Sequence, residues 1–249
     1  MIKKKTSEEI EKLRRGGALL AQTLFEVIAA AKPGVTTAEL DALAEKSILA
    51  GGAQPSFKGY QNFPKTLCTS INEQVVHVIP DEKTVLKEGD IIGLDLGLWY
   101  EGLCTDMART IPVGNISEIS RRLIEVTDKS FEIGLAQVKP GNHVGDIGAA
   151  IQQYVEKLGY GVVRTLFGHG VGYKVHEDPY VPNFGQAGTG PELAPGLVIA
   201  IEPMITVGSP EVQTADDGWA ISTVDGSLAA HHEDTVVVTE TGVEVLTRK

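Results

Sequence analysis

No run in this sequence approaches the roughly 18 consecutive apolar residues that a membrane-spanning helix needs, so a membrane partner is not expected. Cysteine is scarce as well. Cys68 and Cys104 are the two present, and they form neither a disulfide framework nor a metal-binding CxxC pair. A reducing cytoplasm is the simplest location for such a chain. Positive charge is in deficit: 22 Lys and Arg stand against 33 Asp and Glu, a net charge of −11. That balance argues against nucleic acid or an anionic lipid surface as the main partner. Lys3, Lys4, Lys5, Arg14 and Arg15 cluster near the start, without making an evident docking patch for ribosomal RNA. The opening MIKKKTSEEIEKLRR has basic residues with no apolar stretch behind them, which does not read as a secretion signal. What is present suffices for a core, since 42% of the 249 residues are hydrophobic.

The most informative stretch is residues 91–110, IIGLDLGLWYEGLCTDMART. It reads as a β-hairpin with Leu94, Leu96 and Leu98 on one face and Gly93, Asp95 and Gly97 on the other. Tyr100, Glu101 and Gly102 supply the turn. A turn centred on Tyr100–Glu101 makes Asp95 and Asp106 a direct cross-strand pair. Like charges opposed across a sheet are destabilising, so something positive is expected between them. The plainer reading is two solvated carboxylates, but their neighbours are Leu, Ile and Gly.

Ahead of the hairpin, Thr6 and Glu9 have capping-box spacing and open a helix to about Ala31. Ile10, Leu13, Leu20, Leu24 and Ile28 fall on one of its faces. A second helix runs from Thr36 or Thr37 to about Leu49, with Leu40, Leu43 and Ile48 inward. Residues 53–69 read as irregular, and 71–79 as a strand pair turning at Asn72–Glu73. The second half then repeats the first at an offset of 107: Lys32-Pro33-Gly34 returns as Lys139-Pro140-Gly141, Gly52 as Gly159, and Leu86-x-x-Gly89 as Leu193-x-x-Gly196. Asp95 falls on Glu202, in the apolar strand LVIAIEPMI. Its return strand is Ala230 to Val238 and carries Glu233, after 20 extra residues that read as a loop holding Trp219. Two helix–helix–hairpin units related by an approximate twofold would gather Asp95, Asp106, Glu202 and Glu233.

Four carboxylates in an apolar sheet cannot all ionise without cations. Two divalent ions resolve this, and a carboxylate-rich site with little nitrogen suits Mn, Fe(II), Co or Zn. His169, in Gly168-His169-Gly170-Val171-Gly172, is the candidate fifth ligand, because flanking glycines permit close backbone approach. Alone it reads as an ordinary turn residue; set between two acid-bearing hairpins, the ligand reading overtakes that one. A metal pair activates water and polarises a carbonyl, which is the equipment for amide hydrolysis. His77 and His176 border the same region, and spacing alone leaves them as surface or partly buried histidines.

Asp95, Asp106, His169, Glu202 and Glu233, together with GHGVG, IEPM and DGW, resemble the methionine aminopeptidases, more narrowly their short bacterial form, type I. The similarity spans nearly the whole chain. It implies an α/β (α+β) "pita-bread" fold with two pseudo-twofold halves, and a single catalytic domain over residues 1–249. It further implies a cytoplasmic, monomeric enzyme that removes the N-terminal methionine of nascent polypeptides when the second residue is small. Carried over, Asp95 chelates one ion, Asp106 and Glu233 bridge both, and His169 and Glu202 complete the other, with Glu202 also shuttling protons. His77 bonds the substrate backbone and His176 steadies the carbonyl oxygen. Tyr60, Phe63, Cys68 and Trp219 match the methionine pocket. Phe63 stands where Tyr is frequent, Phe57 where Cys is frequent and Val175 where Phe is frequent.

Xaa-Pro aminopeptidases, prolidases and creatinase share that fold but usually carry a further N-terminal domain, and here only about 90 residues precede Asp95. Type II enzymes insert a helical subdomain between the His and Glu ligands, for which the 33 residues from His169 to Glu202 leave no room. A non-catalytic binding module would have lost metal ligands, and all five are present.

Overall fold

A computed structural model describes residues 2–248 of the chain. Helix α1 (Ser7–Ala30) begins where the Thr6 hydroxyl accepts from Glu9 N–H and the Glu9 carboxylate accepts from Thr6 N–H. Thr36 and Glu39 cap α2 (Thr37–Ala50) in the same reciprocal way. Strands β1 (Gln54–Pro55), β2 (Leu67–Ile71), β3 (Gln74–Val76), β4 (Ile91–Tyr100) and β5 (Leu103–Pro112) complete the first half. The second half holds α3 (Glu118–Leu135), α4 (Val144–Lys157), β6 (Gly161–Val162), β7 (Gly168–Gly170), β8 (Glu177–Val181), β9 (Val198–Ile201), β10 (Met204–Thr206), β11 (Val212–Thr214), β12 (Ile221–Thr223), β13 (Ala229–Val238) and β14 (Val243–Val245).

The 107-residue repeat is structural. Helix α4 lies 107 residues beyond α2 at both ends, and β6 lies 107 beyond β1. The isolated bridge Thr36–Val85 returns as His143–Glu192. Gly34 N–H donates to Leu86 O at 2.8 Å, and Gly141 N–H donates to Leu193 O at 3.1 Å. Both glycines sit at positive φ, 93° and 87°, where an L side chain would be strained.

The main sheet runs β1-β4-β5-β13-β9-β7-β8. Its centre is the antiparallel pair β5–β13, in register Arg109–His232, Ala108–Glu233 and Met107–Asp234. Each half therefore hands its return strand to the other, and the pseudo-twofold lies between these two strands. Leu94, Leu96 and Leu98 pack with Leu20, Leu24, Leu40 and Ile48. In the second half Ile199, Ile201 and Ile205, the counterparts of Ile92, Leu94 and Leu98, pack with Phe131, Ile147 and Ile151. Helices thus cover one face of the sheet, and the alternation turns the acids onto the other.

Three expectations need correction. The first hairpin closes on Glu101 and Gly102, both at positive φ (47° and 82°), one position later than the expected centre. Asp95 is consequently opposite Ala108 and Asp106 opposite Gly97, so the two acids are diagonal rather than direct partners. The register change is an even number of residues, which leaves both acids on the same face. The direct acid pair occurs in the other half. Ile201–Asp234 and Met204–His231 bracket Glu202 and Glu233, which face each other across the break between β9 and β10.

Second, the extra residues after β10 are not a plain loop. They form the β11–β12 hairpin, which adds to β3 as a small separate sheet through Ile221–Val76 and Ser222–Gln74. Third, residues 53–69 are only partly irregular, because β1 and the start of β2 both pair with β4. Asp41 on α2 anchors that entry by accepting from the Thr66 and Leu67 N–H groups at 2.9 and 3.1 Å.

The basic residues near the start are mostly committed internally. Lys5 is buried, paired with Glu177 and seated 4.4 Å from the Tyr173 ring centroid. Arg14 pairs with Glu244 at 2.6 Å and Arg15 with Glu101 at 3.2 Å. No helix among the described residues is long and apolar enough to cross a membrane.

Candidate metal centre

All five residues singled out as ligands converge on one cavity of about 410 Å³, lined by Asp95, Asp106, His169, Glu202 and Glu233 together with His77 and His176. His169 Nε2 lies 3.5 Å from Glu202 Oε1 and 4.0 Å from Glu233 Oε1. Its Nδ1 is 2.9 Å from the Gly170 carbonyl. A carbonyl only accepts, so Nδ1 carries the proton and Nε2 keeps its lone pair for the site.

The glycines beside His169 are there for space. A Cβ on Gly168 would sit 2.3 Å from Ala200 O, and one on Gly170 would sit 2.1 Å from Asp178 O. Strand β7 can reach its two neighbours only without side chains at those positions. Gly170→Ala should push β7 outward and displace the imidazole. We expect a fall of roughly 10²-fold in kcat/KM, alongside weaker metal uptake by calorimetry. Unchanged uptake would remove the spatial role given to Gly170.

Electrostatics show why this site suits cations. Burial pushes the Asp95, Glu202 and Glu233 carboxyls well above the ordinary range, and repulsion among the acids adds to it. Asp106 is raised to about 7 by burial, moderated by the hydrogen bond its carboxylate accepts from Met107 N–H. Burial also drives His169 down to about 3 and His77 to about 4, with His176 adding repulsion in both cases. Both imidazoles are neutral at pH 7. Asp95 Oδ1 and Glu233 Oε1 are buried without a hydrogen-bond partner among the described residues. Among the described residues, two groups have ligand atoms within 4.8 Å of one another: Asp95, His231 and Glu233, and Asp106, His169 and Glu233. Clustered acids with orphaned oxygens and neutral imidazoles are a donor set that fits divalent metal.

His231 is the member that the sequence reading missed. Its signal was available, because alternation along β13 puts residue 231 on the same face as Glu233. His232 and Asp234 point to the helix side instead. There Arg109 donates to both Asp234 oxygens at 2.8 Å, and His232 Nδ1 lies 2.7 Å from Asp128.

Phe57, Tyr60, Phe63, Cys68, Val175 and Trp219 all line the same cavity. Phe63 and Trp219 meet edge to face, centroids 5.1 Å apart. Trp219 lies on the β11–β12 hairpin, whose pairing with β3 ends beside His77. One insertion therefore delivers the indole and braces His77, which is held at φ 62°, an uncommon angle for a residue with a side chain. Tyr60 Oη is 3.1 Å from His176 Nδ1. The Cys68 thiol is pushed well above its usual pKa by burial and by Asp95, so it packs as a small apolar group.

Residues 11–240 match Metallopeptidase family M24. The methionine aminopeptidase of Clostridium acetobutylicum is 51% identical over 247 residues, covering 99% of this chain and 99% of that one. The chain belongs to the methionine aminopeptidases of family M24. The crystal structure of the Thermotoga maritima methionine aminopeptidase superimposes with a TM-score of 0.98 at 42% identity, over 100% of both chains. A prolidase from Pyrococcus horikoshii matches at a TM-score of 0.81 but 23% identity, covering 99% of this chain and 63% of the prolidase, a likeness of fold alone. The α/β architecture is the pita-bread fold that the motifs implied, and the family is one of metal-dependent aminopeptidases.

Proposed function

We propose that the chain removes the N-terminal methionine from nascent proteins and peptides, favouring a small second residue, with two divalent ions as cofactor. The supporting observation is the pair of ligand groups that share Glu233, at the base of a cavity whose wall carries the Phe63–Trp219 pair. Asp95, Asp106, His169, Glu202 and Glu233 would hold the ions, with Co, Mn, Fe(II) or Zn suited to the donor set. When bound, such a pair brings the pKa of water to near neutrality and polarises a carbonyl.

The remaining chemistry falls to side chains. Glu202, between β9 and β10, takes a proton from the attacking water and returns it to the departing amine. Tyr60 Oη lies 3.1 Å from His176 Nδ1; with the phenol as donor the imidazole proton stands on Nε2, and Nε2–H can then donate to oxygen developing negative charge. His77, neutral at pH 7, donates to the substrate backbone near the scissile bond. Phe63, Trp219, Tyr60 and Cys68 would clasp the thioether, which favours aromatic contacts.

Peptide assays titrated with Mn, Co, Fe(II) and Zn test this directly. Cleavage of Met-Ala-Ser and inertness of Xaa-Pro peptides are expected; the reverse preference would replace the assignment with a prolidase-like one. His77→Ala should lower kcat by roughly 10²-fold or more with metal content unchanged. Turnover unaffected by that change would strip His77 of its role. The cysteine usage supports a cytoplasmic setting for this reaction on nascent chains.

A further inference from the structure

The two glutamates are flanked by imidazoles on both sides. His169 Nε2 faces the Oε1 atoms of Glu202 and Glu233, at 3.5 and 4.0 Å. His231 Nε2 faces their Oε2 atoms, at 3.7 and 3.8 Å. Distances of 3.7 and 3.8 Å are too long for hydrogen bonds, and His231 Nε2 has no other partner among the described residues although the side chain is only 3% exposed. A buried ring nitrogen aimed at carboxylates that it does not bond is unexplained by packing. The strand beneath it is firmly set: Thr110 Oγ1 accepts from His231 N–H at 2.8 Å and donates to His231 O at 2.9 Å. Asp95, His231 and Glu233 place ligand atoms within 4.8 Å of one another, as Asp106, His169 and Glu233 do.

We propose that His231 is a nitrogen ligand of the ion held by Asp95, so that each metal position owns one imidazole. The assignment rests on the two-ion reading above and changes its coordination: the Asp95 position is no longer all-oxygen. Glu233 belongs to both groups, with Asp106 and His169 in one and Asp95 and His231 in the other. Four carboxylates balance two dications, and two neutral imidazoles add donors without adding charge. Nitrogen at both positions shifts preference toward Mn, Fe(II), Co or Zn and away from Mg or Ca. It also makes the two positions more alike in affinity than a centre with a single histidine.

The test uses cobalt(II) itself, titrated into the full chain labelled with ¹⁵N-histidine. Proton NMR counts exchangeable imidazole N–H resonances shifted by the paramagnetic ion. Wild-type protein with two cobalt ions should show two such resonances, and His231→Gln should show one. Calorimetry on the same variant should show one cobalt site weakened by at least about 10-fold with the other retained. A wild-type spectrum with a single shifted imidazole at two bound cobalt ions overturns the proposal while leaving the metal centre intact, and this count does not depend on the variant folding. Wild-type protein that takes up no cobalt overturns the two-ion reading and the proposal with it.

Discussion

Glu233→Gln should reduce kcat/KM for Met-Ala-Ser by about 10³-fold or more, equivalent to roughly 4 kcal/mol of barrier, and should lower bound metal from two ions to one or none. Glu233 is the residue common to both ligand groups, so its charge is withdrawn from both positions at once. An amide of the same shape fills the same space. The backbone at this position is held independently, by the ladder to Ala108 and by Arg109 Nη1 donating to Glu233 O at 2.5 Å. Misfolding is therefore not the expected cause of the loss. A second signature separates the two explanations. Glu233 is repelled by Asp106, Glu202, Asp95 and Asp234, so metal-free Glu233→Gln should melt higher than metal-free wild type at pH 8. Lower stability in the variant would mean that Glu233 does structural work that the geometry does not reveal.

Stripping metal with a chelator should make stability fall as pH rises from about 6.5 to 8, whereas the metal-loaded protein should change little. The sign follows from the shifted groups. Carboxyls raised by burial keep their protons in the folded state after the unfolded chain has ionised near pH 4, so each one destabilises the fold as pH climbs toward its folded value. For Asp106 that loss is complete by about pH 7, and Asp95, Glu202 and Glu233, raised by the same burial and mutual repulsion, act in the same direction. Buried His77, His169 and His231 act in the opposite direction. They are depressed to about 4, 3 and 3, so they add stability as pH rises to the unfolded value near 6.5 and nothing beyond it. The window above 6.5 therefore isolates the acids, at about 1.4 kcal/mol per pH unit for each carboxyl still protonated in the fold. Urea titrations of stripped and reloaded protein at pH 6.5, 7.2 and 8 measure it. A flat metal-free profile would show that the acids are better solvated than their burial implies.

Much of this centre could be read from the chain. The capping box at Thr6 and Glu9, the 107-residue recurrence and the alternation around Asp95 are local or periodic signals, and each survives in the fold. What could not be read depended on contacts between distant segments or on exceptional backbone angles. The hairpin register turned on Glu101 adopting φ 47°, a conformation that its residue type does not advertise. The β11–β12 hairpin pairs with β3, more than 130 residues earlier, so nothing within the polar insertion distinguishes it from a loop. His231 was hidden differently. The imidazole two positions before Glu233 gains its chemical meaning when β4 and the break between β9 and β10 bring Asp95 and Glu202 beside it.

The meeting of β5 with β13 has a consequence for how such a molecule can change over generations. Neither lobe owns the chemistry; the reactive seam exists only where they join. Helix α1 of the first lobe also lies against the tail of the second, with Gly17 giving way to the Leu246 carbonyl and Arg14 tied to Glu244. The molecule behaves as a covalently linked dimer of unequal twins. A drift in either twin is answerable to the other, and a lone lobe would offer a raw strand edge and half a cage.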